Sequence, residues 1–275
     1  MGVTNPQSAI HHLDCGTMCP RAAGMIGLVD AEGGGHLVAH CVLVEAGDGL
    51  VLIDTGFGSG DIADPRRLGP ARLLLNPRLT PQQTAVAQVR ALGHDPADVR
   101  HVLVTHLDLD HAGGLGDFPG AEVHVHATEL DIARRRPADV RLRYRPAQWA
   151  HGPRWVEHAA DGESWFGFER VRVLEGTGAE IAMIPLHGHT AGHAGYAIRS
   201  GDGWLLHCGD AYLHRDEVAS PPVRTRARRA YHRINSHDAR ARQANADRLA
   251  ELARDHGDEV TLFCSHDPVE LARTA

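Results

Sequence analysis

The sequence predicts an α/β fold built on a mixed sheet, and three observations carry the prediction. Two pairs of β-rich runs flank Gly-Asp-Gly turns and read as hairpins. Other strands alternate with helical segments, which calls for parallel pairing. No polar linker divides the chain, so its 275 residues read as one domain over 1–275.

The elements follow in order. The first hairpin runs from His36 to Gly56, with LVAHCVLVEA and LVLIDTG around Gly47-Asp48-Gly49. Thr80-Pro81-Gln82-Gln83 has the form of a capping box with proline at the first helical position. Val86, Val89 and Leu92 then recur at helical spacing, and Gly93 stops the helix. HVLVT (101–105) and AEVHVHA (121–127) read as buried strands, with Thr128 capping a helix to about Arg136. Residues 137–170 hold Tyr144, Trp149, Trp155, Trp165, Phe166 and Phe168. A linker would be polar, so this stretch reads as an inserted lid. EIAMIPL (180–186) is a strand, and the second hairpin places AGYAIR and WLLHCGD around Gly201-Asp202-Gly203. A helix over 238–256 puts Leu249, Leu252 and Ala253 on one face, and EVTLFCS (259–265) is the last strand. Both hairpins end in an acidic turn, at Asp54 and Asp210. That is a hint of two similar halves, although two such turns also arise by chance.

Composition narrows the chemistry. All 28 basic residues are arginine against 35 acidic ones, a formal charge of −7. The sign disfavours polyanion binding, and 5% aromatic content disfavours a base-stacking platform. The absence of lysine excludes Schiff-base chemistry, P-loops and a lysine nucleophile. Cysteines at 15, 19, 41, 208 and 264 are too few and odd for a disulfide framework. No apolar run is long enough to span a membrane, and the N-terminus has no cationic start or apolar core of a leader. A cytoplasmic protein is expected.

The 21 histidines matter by position. Thr105-His106-Leu107-Asp108-Leu109-Asp110-His111 follows a buried strand and precedes Ala112-Gly113-Gly114. Two imidazoles and two carboxylates in six residues form the donor set of hydrolytic zinc, iron or manganese sites. His187-Gly188-His189-Thr190-Ala191-Gly192-His193, Cys208-Gly209-Asp210 and Ser265-His266-Asp267 also follow strands. Strand ends of this kind are where α/β proteins build sites.

THLDLDHAGG resembles the metallo-β-lactamase superfamily signature THxHxDHxGG. IDTG at 53–56, GHTAGH at 188–193, GDA at 209–211 and SHDP at 265–268 extend the resemblance, in order, over roughly residues 36–270. It implies an αβ/βα four-layer sandwich, two mixed sheets flanked by helices. It implies two divalent metal ions: His106, Asp108 and His189 on the first, Asp110, His111 and His266 on the second, and Asp210 bridging. A hydroxide between the ions would be the nucleophile. Asp108 stands where the family usually has histidine. Zinc is the first expectation, and this harder oxygen ligand also admits iron or manganese.

Asp54 is expected to brace the histidine-rich loop from behind, and His193 to be structural. Tyr212, two residues past Asp210, is a candidate electrophile beside Asp110 in catalysis. His214, His232 and His237 read as surface histidines. His11, His12, Cys15 and Cys19 lack a paired CxxC and read as pocket wall. Arg224, Arg226, Arg228 and Arg229 form a basic run that could meet an anionic substrate group. The layout is similar to the acyl-homoserine lactonase branch, which implies a small-ester or lactone hydrolase acting on a small molecule, as monomer or homodimer. The resemblance also admits a glyoxalase II-like thioesterase or a diiron redox protein. It argues less for a β-lactamase, because no lysine is present to hold the drug's carboxylate.

Overall fold

The computed structural model describes residues 8–21, 23–31, 33–47 and 49–274. Residues 1–7, which carry the start of the N-terminal reading, and Asp48 of the first Gly-Asp-Gly turn lie outside the described residues.

The strands are β1 (Ile10–Met18), β2 (Leu37–Ala46), β3 (Gly49–Ile53), β4 (Pro77–Arg78), β5 (Val99–Leu103), β6 (Glu122–His126) and β7 (Arg154–His158), then β8 (Gly162–Trp165) and β9 (Phe168–Arg170), and finally β10 (Arg172–Val173), β11 (Ile181–Pro185), β12 (Ala194–Ser200), β13 (Gly203–His207) and β14 (Val260–Phe263). The first seven form one sheet in the order β4-β1-β2-β3-β5-β6-β7, and the last five form another in the order β10-β11-β12-β13-β14. Both are mixed. β1–β2–β3 pair antiparallel, whereas β3, β5, β6 and β7 run parallel. β10 to β13 alternate in direction, and β14 joins β13 in parallel.

Side-chain alternation builds the layers. On β2 and β3, Val42, Val44, Val51 and Ile53 face the second sheet, where they meet Ile181, Met183, Tyr196, Ile198 and Phe263. Their neighbours Cys41, Leu43, Leu50 and Leu52 face the other way, onto Ala85, Val86, Val89, Leu130 and Ala133 of two helices. In the second sheet, Ala182, Ile184, Ala197 and Leu206 turn outward onto Leu249, Ala250 and Leu252 of the helix Ala239–Asp255. A strand's period of two thus gives every central strand two apolar faces. Each fully buried aliphatic side chain contributes about 1.5–3 kcal/mol. Helix, sheet, sheet and helix follow in that order: an αβ/βα sandwich.

Several local expectations shift. Pro81–Gln83 forms a separate 3-10 turn, and the helix Ala85–Ala91 starts after Thr84, whose hydroxyl accepts from Ala87 N at 3.3 Å. Thr84 prevails over Thr80 because it stands directly before the apolar repeat. His126, not Thr128, caps the helix Ala127–Arg135, its Nδ1 accepting from Thr128 N at 3.2 Å. The stretch 137–170 is not one lid. Residues 154–158 are edge strand β7, and Trp149 and Trp155 pack on the core of the first sheet. Trp165, Phe166 and Phe168 pack on the outer core of the second sheet. These aromatic side chains complete two cores rather than lining one apolar ceiling.

Strand direction delivers the functional loops. β11, β13 and β14 end on the same side, as do β3 and β5. Hydrogen bonds from Ala194 N to Thr105 O (2.9 Å), Tyr196 hydroxyl to Val104 O (3.0 Å) and His40 N to Ser265 O (2.9 Å) tie the sheets together there. Glu129 is buried under the junction. Its carboxylate accepts from Leu107 N (3.0 Å), Gly192 N (3.2 Å) and the Tyr144 hydroxyl (2.9 Å), so one side chain holds two histidine-bearing loops. A Cβ on Gly192 would lie 2.2 Å from Glu129 N, so only glycine lets the backbones approach this closely. Glu129→Ala would leave three buried donors unpaired. It is expected to lower the unfolding free energy by about 2–4 kcal/mol, measured in urea.

Candidate metal centre

The loop after β5 is held from below. Asp54, at the end of β3, has φ 54°, and its Oδ1 accepts from Thr105 N at 2.8 Å. Its Oδ2 accepts from the Thr105 hydroxyl (2.7 Å) and from His111 Nδ1 (2.8 Å). Thr105 Oγ1 in turn accepts from His106 Nδ1 at 2.9 Å. His266 Nδ1 donates to Val38 O at 2.8 Å. In all three rings the Nδ1 proton is committed, which turns the Nε2 lone pair inward.

His193 differs, because both of its nitrogens are used. Nδ1 donates to Leu186 O (3.1 Å) and Nε2 accepts from Asp210 N (2.9 Å), so this ring positions Asp210 and has no lone pair left to give. Gly209 has φ 54°, and a Cβ there would lie 2.5 Å from His193 Nε2, so the turn into Asp210 requires glycine.

The inward atoms converge. His106, Asp108 and His189 bring donor atoms within 4.8 Å of one another, as do His106, His111 and Asp210, and Asp110, His111 and His266. Asp108 Oδ2 lies 3.3 Å from His106 Nε2 and 3.1 Å from His189 Nε2. Asp210 reaches both ways: Oδ2 is 3.4 Å from His189 Nε2, while Oδ1 is 3.5 Å from His111 Nε2 and 3.1 Å from His266 Nε2. Neighbouring ligands on a tetrahedral ion with bonds near 2.1 Å are about 3.4 Å apart, so these separations suit shared cations. His106 Nε2, His111 Nε2, Asp108 Oδ1 and Asp210 Oδ1 are buried without a hydrogen-bond partner. Orphaned acceptors of this kind, drawn from nitrogen and carboxylate oxygen, fit divalent metal.

Electrostatics agree. Burial opposes charge on His111, but the carboxylates of Asp210, Asp54 and Asp110 outweigh it and raise the imidazole to about 10. Burial would also raise the Asp210 carboxyl, yet the rings of His266, His111 and His189 hold it well below the usual range. The cluster is built to hold positive charge.

Tyr212 does not reach this cluster. It is fully buried in the outer core of the second sheet, with its hydroxyl on Glu270 Oε1 at 3.0 Å. The residue two places past Asp210 simply turns to the opposite side of the sheet. Two other tyrosines lie nearer: Tyr144, whose backbone bridges to Asp108, and Tyr231, on the helix Arg226–Asn235. Tyr231 feels the charges of the cluster. It packs on the group containing Leu109 and Leu213, and burial together with the charges of Asp210 and Asp110 raises its hydroxyl pKa.

Two members of the arginine run are engaged within the chain, while Arg226 and Arg229 are exposed. Arg228 donates to Ile26 O (2.7 Å) and Val223 O (3.1 Å), and Arg224 pairs with Asp247. His214 and His232 are buried rather than surface residues: His214 Nδ1 accepts from Asp216 N (3.1 Å), and His232 Nε2 lies 2.7 Å from Glu217 Oε2. His237 is exposed. His11, His12 and Cys15 lie on β1 and are not pocket wall beside the cluster. His11 meets Glu45 (2.8 Å), His12 meets His40 (2.7 Å), and Cys15 is core. Cys19 lies just past β1, its N–H donating to Leu75 O at 3.1 Å.

Three contributors carry no motif signal. Glu129 braces two loops, Arg242 donates its Nε–H to Asp210 O at 3.1 Å, and Arg143 reaches Asp108 Oδ2 at 2.5 Å. Each comes from a helix or loop remote in sequence. Among the described residues, no helix is long and apolar enough to cross a membrane.

Two variants test these assignments. Asparagine tolerates positive φ but cannot accept every bond that Asp54 accepts. Asp54→Asn is therefore expected to weaken divalent-metal affinity about 10–100-fold, read by competition with a chromophoric chelator. Burial raises Glu270 from its ordinary 4.5 to about 7, so its protonated form favours the fold. That contribution is complete below about pH 4.5 and is lost as pH rises through about 7. Glu270→Gln should flatten the fall in Tm over that interval, by at most about 3 kcal/mol of stability.

Comparison with known proteins agrees with this geometry. The family model described as the metallo-β-lactamase superfamily matches residues 34–256. A probable metallo-hydrolase of Mycobacterium tuberculosis is 42% identical over 271 residues, 98% of this chain and 84% of that protein. An N-acyl homoserine lactonase of Rhizobium johnstonii is 31% identical over 65% of this chain and 68% of its own length. The solved structure of an N-acyl homoserine lactone hydrolase with the product N-hexanoyl-L-homoserine at its catalytic metal centre superposes with a TM-score of 0.71 at 20% identity, covering 98% of this chain and 96% of that one. With the sandwich fold, the order of its motifs and the matched span taken together, the chain belongs to the metallo-β-lactamase superfamily.

Proposed function

We propose that the chain is a dinuclear metallohydrolase that opens lactone rings, with N-acyl homoserine lactones the first substrates to test. The observation that carries the proposal is the pair of donor sets sharing Asp210, in which His106 Nε2, His111 Nε2, Asp108 Oδ1 and Asp210 Oδ1 are buried without a hydrogen-bond partner. His106, Asp108 and His189 would hold one ion, Asp110, His111 and His266 the other, and Asp210 would bridge. Divalent cations in these places, zinc in the first instance, supply Lewis acidity toward the ester carbonyl and make water nucleophilic at neutral pH.

The chain's own groups do the remaining work. Asp54, Thr105 and Val38 aim the rings. Asp110, whose Oδ2 stands 3.7 Å from His266 Nε2, is the proposed base: it would take the proton of the attacking water and return it to the ring oxygen as the C–O bond breaks. The Tyr231 hydroxyl is the proposed donor to the carbonyl oxygen, where negative charge develops. A nucleic-acid substrate fits poorly, since the charge is −7 and Arg224 and Arg228 are engaged within the chain. The lactone itself is supported by the lactonase similar over two thirds of its length.

Purified zinc-loaded protein is expected to carry about two metals per chain and to open N-acyl homoserine lactones, leaving S-lactoylglutathione intact. Tyr231→Phe should lower kcat about a hundredfold at unchanged metal content, whereas Tyr212→Phe should cost stability rather than turnover. Cleavage of the thioester alone would favour a glyoxalase II-like enzyme. Bound iron without hydrolysis would favour redox chemistry.

A further inference from the structure

Arg143 lies in the loop between the helix Ala127–Arg135 and β7, and its guanidinium reaches into the first donor set. Nη1 is 2.5 Å from Asp108 Oδ2 and 2.9 Å from His189 Nε2. Nη2 donates to Asn235 O at 2.6 Å, at the C-terminal end of the helix Arg226–Asn235, where a cation is favoured. These three contacts tie one side chain to the first donor set and to the end of that helix. The guanidinium is a fifth exposed, so most of its charge is balanced inside the protein.

The chemistry of the contact is exclusive. Arginine only donates, so His189 Nε2 must be the acceptor. A ring nitrogen has one lone pair in the ring plane, and that lone pair is the one a metal would take. Asp108 Oδ2 is held in the same way. A divalent ion bonded to both atoms would also stand within a few ångströms of the guanidinium carbon, and like charges at that distance repel. Among the described residues, no guanidinium contacts the side chains of Asp110, His111 or His266 in this way. Asp110, His111 and His266 converge with Asp210, and His111 Nε2 remains without a hydrogen-bond partner.

We propose that Arg143 and the first metal ion occupy the same place in turn, so that this chain binds its ions unequally: the Asp110–His111–His266 site fills first, and the His106–Asp108–His189 site fills only when Arg143 swings out. Arg143 thereby sets the metal content of the centre. The inference rests on the metal reading of the cluster and is independent of the lactone.

The test is calorimetric titration of metal-free full-length protein with Zn2+, with bound metal counted by elemental analysis after gel filtration. The wild type is expected to show one tight step and a second at least tenfold weaker. Arg143→Met keeps the apolar stem and removes the charge, and Arg143→Ala removes both. Each should tighten the weaker step tenfold or more and leave the tight step unchanged, with circular dichroism confirming the fold. Two equal steps in the wild type would overturn the inference and leave the dinuclear reading standing. So would a weak step that neither variant tightens. No bound metal in any of the proteins would overturn both.

Discussion

Asp108, Asp110 and Asp210 converge with four imidazoles in a place that water barely reaches, and this concentration of negative charge has to be neutralised. Much of the surrounding structure is arranged to that end. His111 is raised to about 10 by the carboxylates around it. Arg143 is drawn into the cluster and Arg242 is buried behind Asp210. Divalent cations at the inward lone pairs would complete the same balance. Without positive charge, some of the carboxylates would have to protonate, and the loops that carry them would lose their reason to meet.

The fold meets this constraint by strand direction. Parallel pairing of β13 with β14, and of β3 with β5, sends several loops out of one edge of the two sheets. The ligand candidates therefore sit on short excursions from rigid strands, which limits how far they can drift. Asp54 and Glu129 then couple these loops from beneath, one through Thr105 and His111, the other through Leu107 and Gly192. Rigidity comes from buried carboxylates accepting backbone and hydroxyl protons. The donor cluster inherits its precision from them.

Much of this was legible in the sequence. The near-continuous apolar runs in LVAHCVLVEA and LVLI mark strands buried on both faces, and AGYAI in the second hairpin repeats the pattern. His106, Asp108, Asp110, His111, His189, Asp210 and His266 all reach one cluster because each stands on a loop that leaves the end of a strand on the same side of the two sheets. Asp54, directly after β3, and His193, directly before β12, lie behind that cluster. The legible part fails where a side chain's target lies in another element. Tyr212 follows Asp210 closely yet turns onto Glu270. The aromatic residues of 137–170 are divided between two cores that no local pattern distinguishes. In the basic run at 224–229, Arg224 and Arg228 read as anion contacts only until their partners Asp247, Ile26 and Val223 are known.

The sequence by itself determined a mixed-sheet α/β fold and the identity and order of the donor residues, because strand and helix patterning and the residue types at strand ends are local properties; the four-layer sandwich followed from the family its motifs resemble. Only the tertiary structure decided which side chains stand around those donors. Glu129, Tyr231, Arg242 and Arg143 reach the centre from remote helices and loops, and long side chains find their partners by packing and charge after the sheets have closed. Arg143 shows the difference most clearly: it belongs to a stretch without a motif, yet its guanidinium contacts the same two atoms that the first ion would need.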